Sequence, residues 1–135
     1  LKQDDDFPKS EHEIRSFVVI PLLYSLGWSH QKMSVEYGNL DIVLFSDASR
    51  TEAKIFIETK SLWTGSVKGL QQAKGYLASK PELLRNIEKV IITDGLVYWL
   101  FEASEMDNPI AYMNLGRKRS KNPAYPDVIC FNEMK

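Results

Sequence analysis

The chain has 135 residues, of which 44% are hydrophobic, and this length fits one domain, which we predict over residues 1–135. The formal net charge of −1 excludes the broad basic field of a protein that binds DNA tightly alone, so any nucleic-acid affinity is expected to be modest or supplied by an attached partner. The single cysteine, Cys130, excludes an internal disulfide and fits a reducing cytoplasm, where we expect the protein to act.

The first predicted helix begins at a capping box, in which Ser10 caps the helix and Glu13 reaches back to it. It extends to about Leu26, and Pro21 is expected to kink or split it because proline lacks a backbone donor. Helical spacing predicts an apolar face made of Ile14, Phe17, Val18, Leu22 and Leu26.

Apolar runs separated by turn residues predict strands at about 33–37, 40–46, 53–60, 90–93 and 96–101, with a weaker strand at 110–115. Gly38-Asn39 and Asp94-Gly95 are tight-turn signals. A second helix is predicted at about 66–79, where Pro81 limits its end. This order predicts an α/β fold with a mixed central sheet of about five strands flanked by helices.

Three charged residues lie on or beside the two most apolar strands. Asp41 opens one run, and Glu58 and Lys60 close the next. A charge in a buried strand costs several kcal/mol unless it is paired or bound to a metal. Glu58 and Lys60 are two residues apart, so the strand pleat should point them to the same face, and Asp41 reaches that face if the two strands are neighbours.

The alternative is that these residues are ordinary surface charges. A Glu-x-Lys spacing is common by chance in a chain of this length. Asp41 would then end a turn, and Glu58 and Lys60 would form a surface pair contributing about 0.2–1 kcal/mol. The directly preceding apolar residues, Ile55 to Ile57, favour the buried interpretation.

Two further features accompany the charged strands. Gln72 and Tyr76 are four apart on the second helix and share one face, where they could hold a water, a metal ligand or a phosphate oxygen, or simply face solvent. Glu11 has no local role beyond favouring the helix N-terminus, so it is a candidate for an extra acidic ligand.

These residues, taken in order, resemble a known family. Glu11-His12-Glu13-Ile14-Arg15, Ile20-Pro21-Leu22-Leu23 and Leu26-Gly27-Trp28 look like the opening helix of the nuclease domain at the N-terminus of type I restriction enzyme R subunits, within the PD-(D/E)xK nuclease superfamily. Further matches follow at Glu36-Tyr37, Asp41, Glu58-Thr59-Lys60, Gln72-xxx-Tyr76, Asp94-Gly95 and Tyr98-Trp99. The resemblance spans about Ser10 to Phe101. This chain departs from the family pattern at Leu40, because Leu40, and not the proline of the pattern, precedes Asp41.

The resemblance implies a restriction-endonuclease-like fold and a Mg²⁺-dependent DNA endonuclease. Asp41, Glu58 and the Thr59 carbonyl would bind Mg²⁺, or Mn²⁺ in its place, and Glu11 would complete or support the site. Lys60 would orient the attacking water or stabilise the phosphate charge. Gln72 would help to position the water or Lys60, and Tyr76 would contact a phosphate.

The partners implied are DNA and, in a larger assembly, motor, methyltransferase or specificity subunits. The sequence contains no Walker-type loop, so ATP binding is not expected of this domain. Membrane association is not expected either, because the longest mostly apolar run, Phe17 to Leu26, is too short to span a bilayer. The chain starts at Leu1, which suggests a fragment of a longer protein.

Two alternatives stay open at this point. One is a catalytically silent module of the same fold that binds nucleic acid or a protein partner. The other is a DNA repair or junction nuclease, which would share the chemistry and differ in substrate.

Overall fold

A computed structural model describes residues 10–37, 40–61, 66–79, 85–115 and 128–130 of the protein. Within these ranges, seven strands form one mixed sheet whose spatial order follows the chain. The strands are β1 (Met33–Tyr37), β2 (Leu40–Phe45), β3 (Ala53–Thr59), β4 (Lys89–Thr93), β5 (Val97–Glu102), β6 (Ala111–Asn114) and β7 (Val128–Cys130). Helix α3, Ser66–Ser79, lies between β3 and β4, which pair in parallel, and the other neighbours pair antiparallel.

The predicted α/β class and mixed sheet are confirmed, but the count of about five strands is too low. The weaker strand expected at 110–115 forms as β6, which has four residues. Strand β7 has only three residues, and a run this short shows too little alternation to be recognised in a sequence. The turn predicted at residues 38 and 39 lies outside the described residues.

The central strands are buried on both faces, as their continuous apolar runs predicted. Ile42 and Ile57 pack in a core cluster with the N-terminal helical region. Val43 and Phe56 point to the opposite face, in a cluster that includes Ala73 of α3. The sheet is therefore covered on one face by the N-terminal helical region and on the other by α3.

The N-terminal helical region is split, as Pro21 predicted. It consists of α1 (Glu11–Ile14), a π-helical segment (Arg15–Val19) and α2 (Ile20–Ser25). Ser10 caps α1, because its hydroxyl accepts the Glu13 N–H at 3.2 Å. The Ile20 N–H donates to the Arg15 carbonyl, five residues earlier, which is the π-helical pattern.

The π-helical segment makes part of the predicted apolar face wrong. Phe17 and Leu26 are 66% and 68% exposed, whereas Ile14, Val19 and Leu23 are buried. A π turn holds one more residue than an α turn, so the next buried apolar residue after Ile14 is five positions on, at Val19, and not four. Leu26 instead borders an open apolar groove of about 250 Å³ between α2 and strands β4 to β6.

Within the described part of the chain, none of the helices has both the length and the apolar character needed to cross a membrane.

Candidate functional site

The end of the β2–β3 ladder brings the three predicted charged residues together. Ile42 pairs with Ile57, and the next step of this register sets Asp41 opposite Glu58. Lys60 directly follows β3, and its Nζ lies 3.3 Å from Oε2 of Glu58. The predicted same-face placement of Glu58 and Lys60 is therefore confirmed, and Asp41 lies on the neighbouring strand beside them.

Asp41 is held by donors on both carboxylate oxygens. Its Oδ2 accepts the backbone N–H of Thr59 at 2.6 Å, and its Oδ1 accepts Nη1 of Arg15 at 3.3 Å. Burial raises the pKa of Asp41, while the Thr59 N–H and the Arg15 charge act in the opposite direction. Two bonds from two different elements fix the plane of the carboxylate.

Glu58 is the most deeply buried carboxylate of the site, at 3% exposed. Its Oε2 faces Lys60, but its buried Oε1 has no hydrogen-bond partner among the described residues. Burial, followed by the negative charge of Asp41, raises the pKa of Glu58 to about 7, against the opposing effect of Lys60. Lys60 therefore compensates the ionised form of Glu58 only in part, and a bound cation would provide further positive charge.

The ammonium group of Lys60 contacts three side chains. Its Nζ lies 3.3 Å from Oε1 of Glu11 and 3.3 Å from Glu58, and it donates to Oε1 of Gln72. Burial alone would lower the pKa of Lys60, but the carboxylates of Glu58 and Glu11 outweigh it and raise the pKa. The ammonium is thus a fixed positive charge at neutral pH.

Helix α3 supplies the two residues predicted from the Gln-xxx-Tyr spacing. Gln72 reaches Lys60, so its side chain belongs to the charged group. The Tyr76 ring packs edge-on against Phe56 at a centroid distance of 5.9 Å. Burial, followed by the charges of Glu58 and Asp41, raises the pKa of Tyr76, so its hydroxyl stays protonated beside the site.

Sequence reasoning missed Gly69, which allows α3 to approach the site. A β-carbon at this position would lie 2.6 Å from Cγ2 of Ile92 and 3.3 Å from Cγ of Lys60. A glycine is therefore needed where the helix crosses β4, one turn before Gln72. The available signal was the glycine itself, because a glycine inside a helix costs about 1 kcal/mol relative to alanine and so suggests a packing reason.

Sequence reasoning also gave no separate role to Arg15, which is 8% exposed. Besides Asp41, its guanidinium contacts Oε1 of Glu36 at 2.8 Å and Nδ1 of His12 at 3.2 Å. The signal was an arginine directly after Ile14, at the start of the mostly apolar stretch of the first helix.

The charge and the donor atoms of the site suit a divalent cation. The site combines four carboxylates with two cations, an excess of two negative charges when all are ionised: Glu11, Glu36, Asp41 and Glu58 against Arg15 and Lys60. Asp41 and Glu58 offer oxygen ligands, and Oε1 of Glu58 has no hydrogen-bond partner in the part of the chain that the structure describes. Mg²⁺ is commonly held by one or two carboxylates, with waters and substrate phosphate completing the shell, so the donor set fits it.

Glu11 does not join Asp41 and Glu58 as a third carboxylate. In the described ranges, no group of three or more His, Cys, Asp or Glu side chains has metal-binding spacing. The Glu11 carboxylate pairs with Lys60 instead. Of the predicted metal ligands, two side chains thus lie together, and the third contacts the lysine.

Comparison with known proteins identifies no relative of this chain. No family model matches it, no curated protein matches it, and no solved structure matches it.

Proposed function

We propose that this chain is a Mg²⁺-dependent DNA endonuclease domain with a restriction-endonuclease-like fold, similar to the nuclease domain of type I restriction R subunits. The observation that supports it most is the convergence of Asp41, Glu58 and Lys60 at one end of the β2–β3 ladder. Under this proposal the domain acts on DNA in the cytoplasm, alongside motor, methyltransferase or specificity subunits, and does not itself bind ATP.

The proposed roles follow the positions of the side chains. Asp41 and Glu58, with the Thr59 carbonyl as a further oxygen, would hold Mg²⁺ or Mn²⁺. Bound there, the cation supplies polarisation of a phosphoryl oxygen and a lowered pKa for a bound water. Glu11 supports the site from outside by contacting Lys60.

Lys60 has the charge and the fixed position to act on the reacting groups. In the reaction, a water oxygen would attack phosphorus in line with the leaving oxygen, and the bond between phosphorus and that oxygen would break. The attacking water would lose a proton to solvent, and the leaving oxygen would take a proton from solvent. Lys60 would orient the water or stabilise the charge on the phosphate, since its ammonium stays protonated. Gln72 would hold Lys60 in position, and Tyr76 would donate a hydrogen bond from its hydroxyl to a phosphate oxygen.

Nicking of supercoiled plasmid tests this proposal. We expect cleavage in Mg²⁺ or Mn²⁺, none in chelator, and loss of at least 100-fold in rate for Asp41→Ala, Glu58→Ala and Lys60→Ala. Lys89→Ala is the matched control, because Lys89 is also a lysine at the end of a strand with a carboxylate partner, Glu102, away from the site. Full activity of folded Lys60→Ala would defeat the assignment.

Comparing the cleavage of duplex, branched and single-stranded DNA separates a restriction-type nuclease from a repair or junction nuclease.

One observation favours a second candidate, a catalytically silent module of the same fold that binds nucleic acid or a protein partner. Lys60 is already satisfied by Glu11, Glu58 and Gln72, and the described residues include no three-ligand metal group. This candidate predicts that calorimetry detects no divalent-cation binding at the site.

A further inference from the structure

Arg15 contacts the Asp41 carboxylate at a different oxygen from the one that contacts β3. It approaches from the first residue of the π-helical segment and donates to Oδ1, while the Thr59 N–H donates to Oδ2. An ionised carboxylate has about four lone-pair positions. These two donors occupy one position on each oxygen and leave the others for a ligand, with the carboxylate plane already fixed.

Glu36 in turn holds Arg15. Its Oε1 lies 2.8 Å from Nη2, the nitrogen that also contacts His12. An arginine beside a cation site would by itself repel a cation, so a carboxylate that neutralises the arginine removes that penalty. The order of contacts is Glu36 to Arg15 to Asp41.

The backbone conformation of Glu36 supports a functional role for its contact with Arg15. Its φ is 58°, in the left-handed region that non-glycine residues seldom adopt. Strand β1 pairs with β2 at Val35 and at Tyr37, and Glu36 departs from the extended conformation between those two pairs. Such a conformation costs about 1 kcal/mol or more and persists where the surroundings determine it, often at functional sites.

From these contacts we infer that Arg15 and Glu36 are positioning residues, which set the Asp41 carboxylate in the orientation that receives a divalent cation. The inference rests on the proposed function and assigns to it two residues outside the metal ligands. Outer partners of metal ligands typically alter metal affinity or activity by about 10–100-fold when they are removed. A purely structural pair would change stability and leave the metal requirement alone.

The test measures plasmid nicking as a function of Mn²⁺ concentration, with Mn²⁺ binding followed by calorimetry. For Arg15→Met we expect the half-maximal Mn²⁺ concentration to rise about 10–100-fold. For Glu36→Gln we expect a smaller rise, about 3–10-fold, because Arg15 keeps its other partners. The dissociation constant for Mn²⁺ measured by calorimetry should rise by the same factor in each variant. Glu102→Gln, which removes an ion pair on β5, is the control and should leave the Mn²⁺ requirement unchanged.

Each outcome supports or overturns the inference. Glu36→Gln keeps the test decisive if Arg15→Met fails to fold, because the Glu36 side chain is 67% exposed and its replacement leaves no buried gap. An unchanged Mn²⁺ requirement in folded Glu36→Gln, with an active wild type, would overturn the positioning role and leave the nuclease proposal standing. A wild type that neither binds Mn²⁺ nor nicks DNA would overturn the proposed function, and the positioning role with it.

Discussion

Gly69 lies directly over Ile92, so closely that a β-carbon on the glycine would lie 2.6 Å from Cγ2 of the isoleucine. The same β-carbon would lie 3.3 Å from Cγ of Lys60. This contact links the packing of α3 on β4 to the placement of the lysine. A side chain at position 69 would therefore require either Ile92 or the helix that carries Gln72 to shift.

Gly69→Ala is therefore expected to destabilise the protein by about 1–3 kcal/mol, because overpacking forces the backbone to shift. Gly75→Ala on the same helix is the matched control. Apart from the adjoining backbone of its own helix and its two chain neighbours, no atom of the described residues lies within 4 Å of a β-carbon there, so this change should stabilise the fold by up to about 1 kcal/mol. Urea denaturation measures both effects. Equal free-energy changes for the two variants would contradict the close packing at Gly69.

The π-helical segment predicts that truncating Leu23 destabilises the protein more than truncating Phe17 does. Leu23 is buried and Phe17 is exposed, although regular helical spacing placed Phe17 on the apolar face. Leu23→Ala should cost about 2–5 kcal/mol through the lost contacts and the cavity. Phe17→Ala should cost less than about 1 kcal/mol. If denaturation midpoints instead show the larger loss for Phe17→Ala, the helix is in the regular α-helical register and our placement of Arg15 is wrong.

Most of the sheet could be predicted from the sequence because its signals are local. The apolar runs of β2 and β3 and the turn signal at Asp94-Gly95 lie within short windows. The strand pleat alone predicted that Glu58 and Lys60 point to the same face. The π-helical segment could not be predicted, because Phe17, Val18 and Leu22 are also apolar and satisfy the regular helical spacing equally well. Nor could the contacts of Gly69 and Arg15, which depend on how separate elements approach each other in space.

The raised pKa of Glu58 makes the stability of the folded protein fall as the pH rises. Its pKa is raised from a usual 4.5 to about 7 in the folded protein, so the unfolded chain ionises first as the pH rises. The contribution of Glu58 to stability is therefore largest below about pH 4.5 and is lost between about pH 4.5 and 7. Lys60 adds no slope in this range, because its raised pKa keeps its contribution intact until the alkaline region.

Glu58→Gln removes this titration. In the absence of divalent cations, the stability of the variant relative to the wild type should rise by about 1–3 kcal/mol between pH 5 and pH 8. Urea denaturation at several pH values measures the difference, and Glu102→Gln, in which an exposed carboxylate is replaced, serves as the control. A stability difference that stays constant with pH would show that Glu58 ionises normally in the folded protein.

The most direct measurement is a calorimetric titration of Mn²⁺ into the wild type, Asp41→Asn and Glu58→Gln at pH 8, where Glu58 is mostly ionised. We expect one site in the wild type and at least tenfold weaker binding in each variant, because each loses one of two carboxylate ligands. Binding of equal strength in all three proteins, or no binding to the wild type, would contradict the account of this site as a divalent-cation centre.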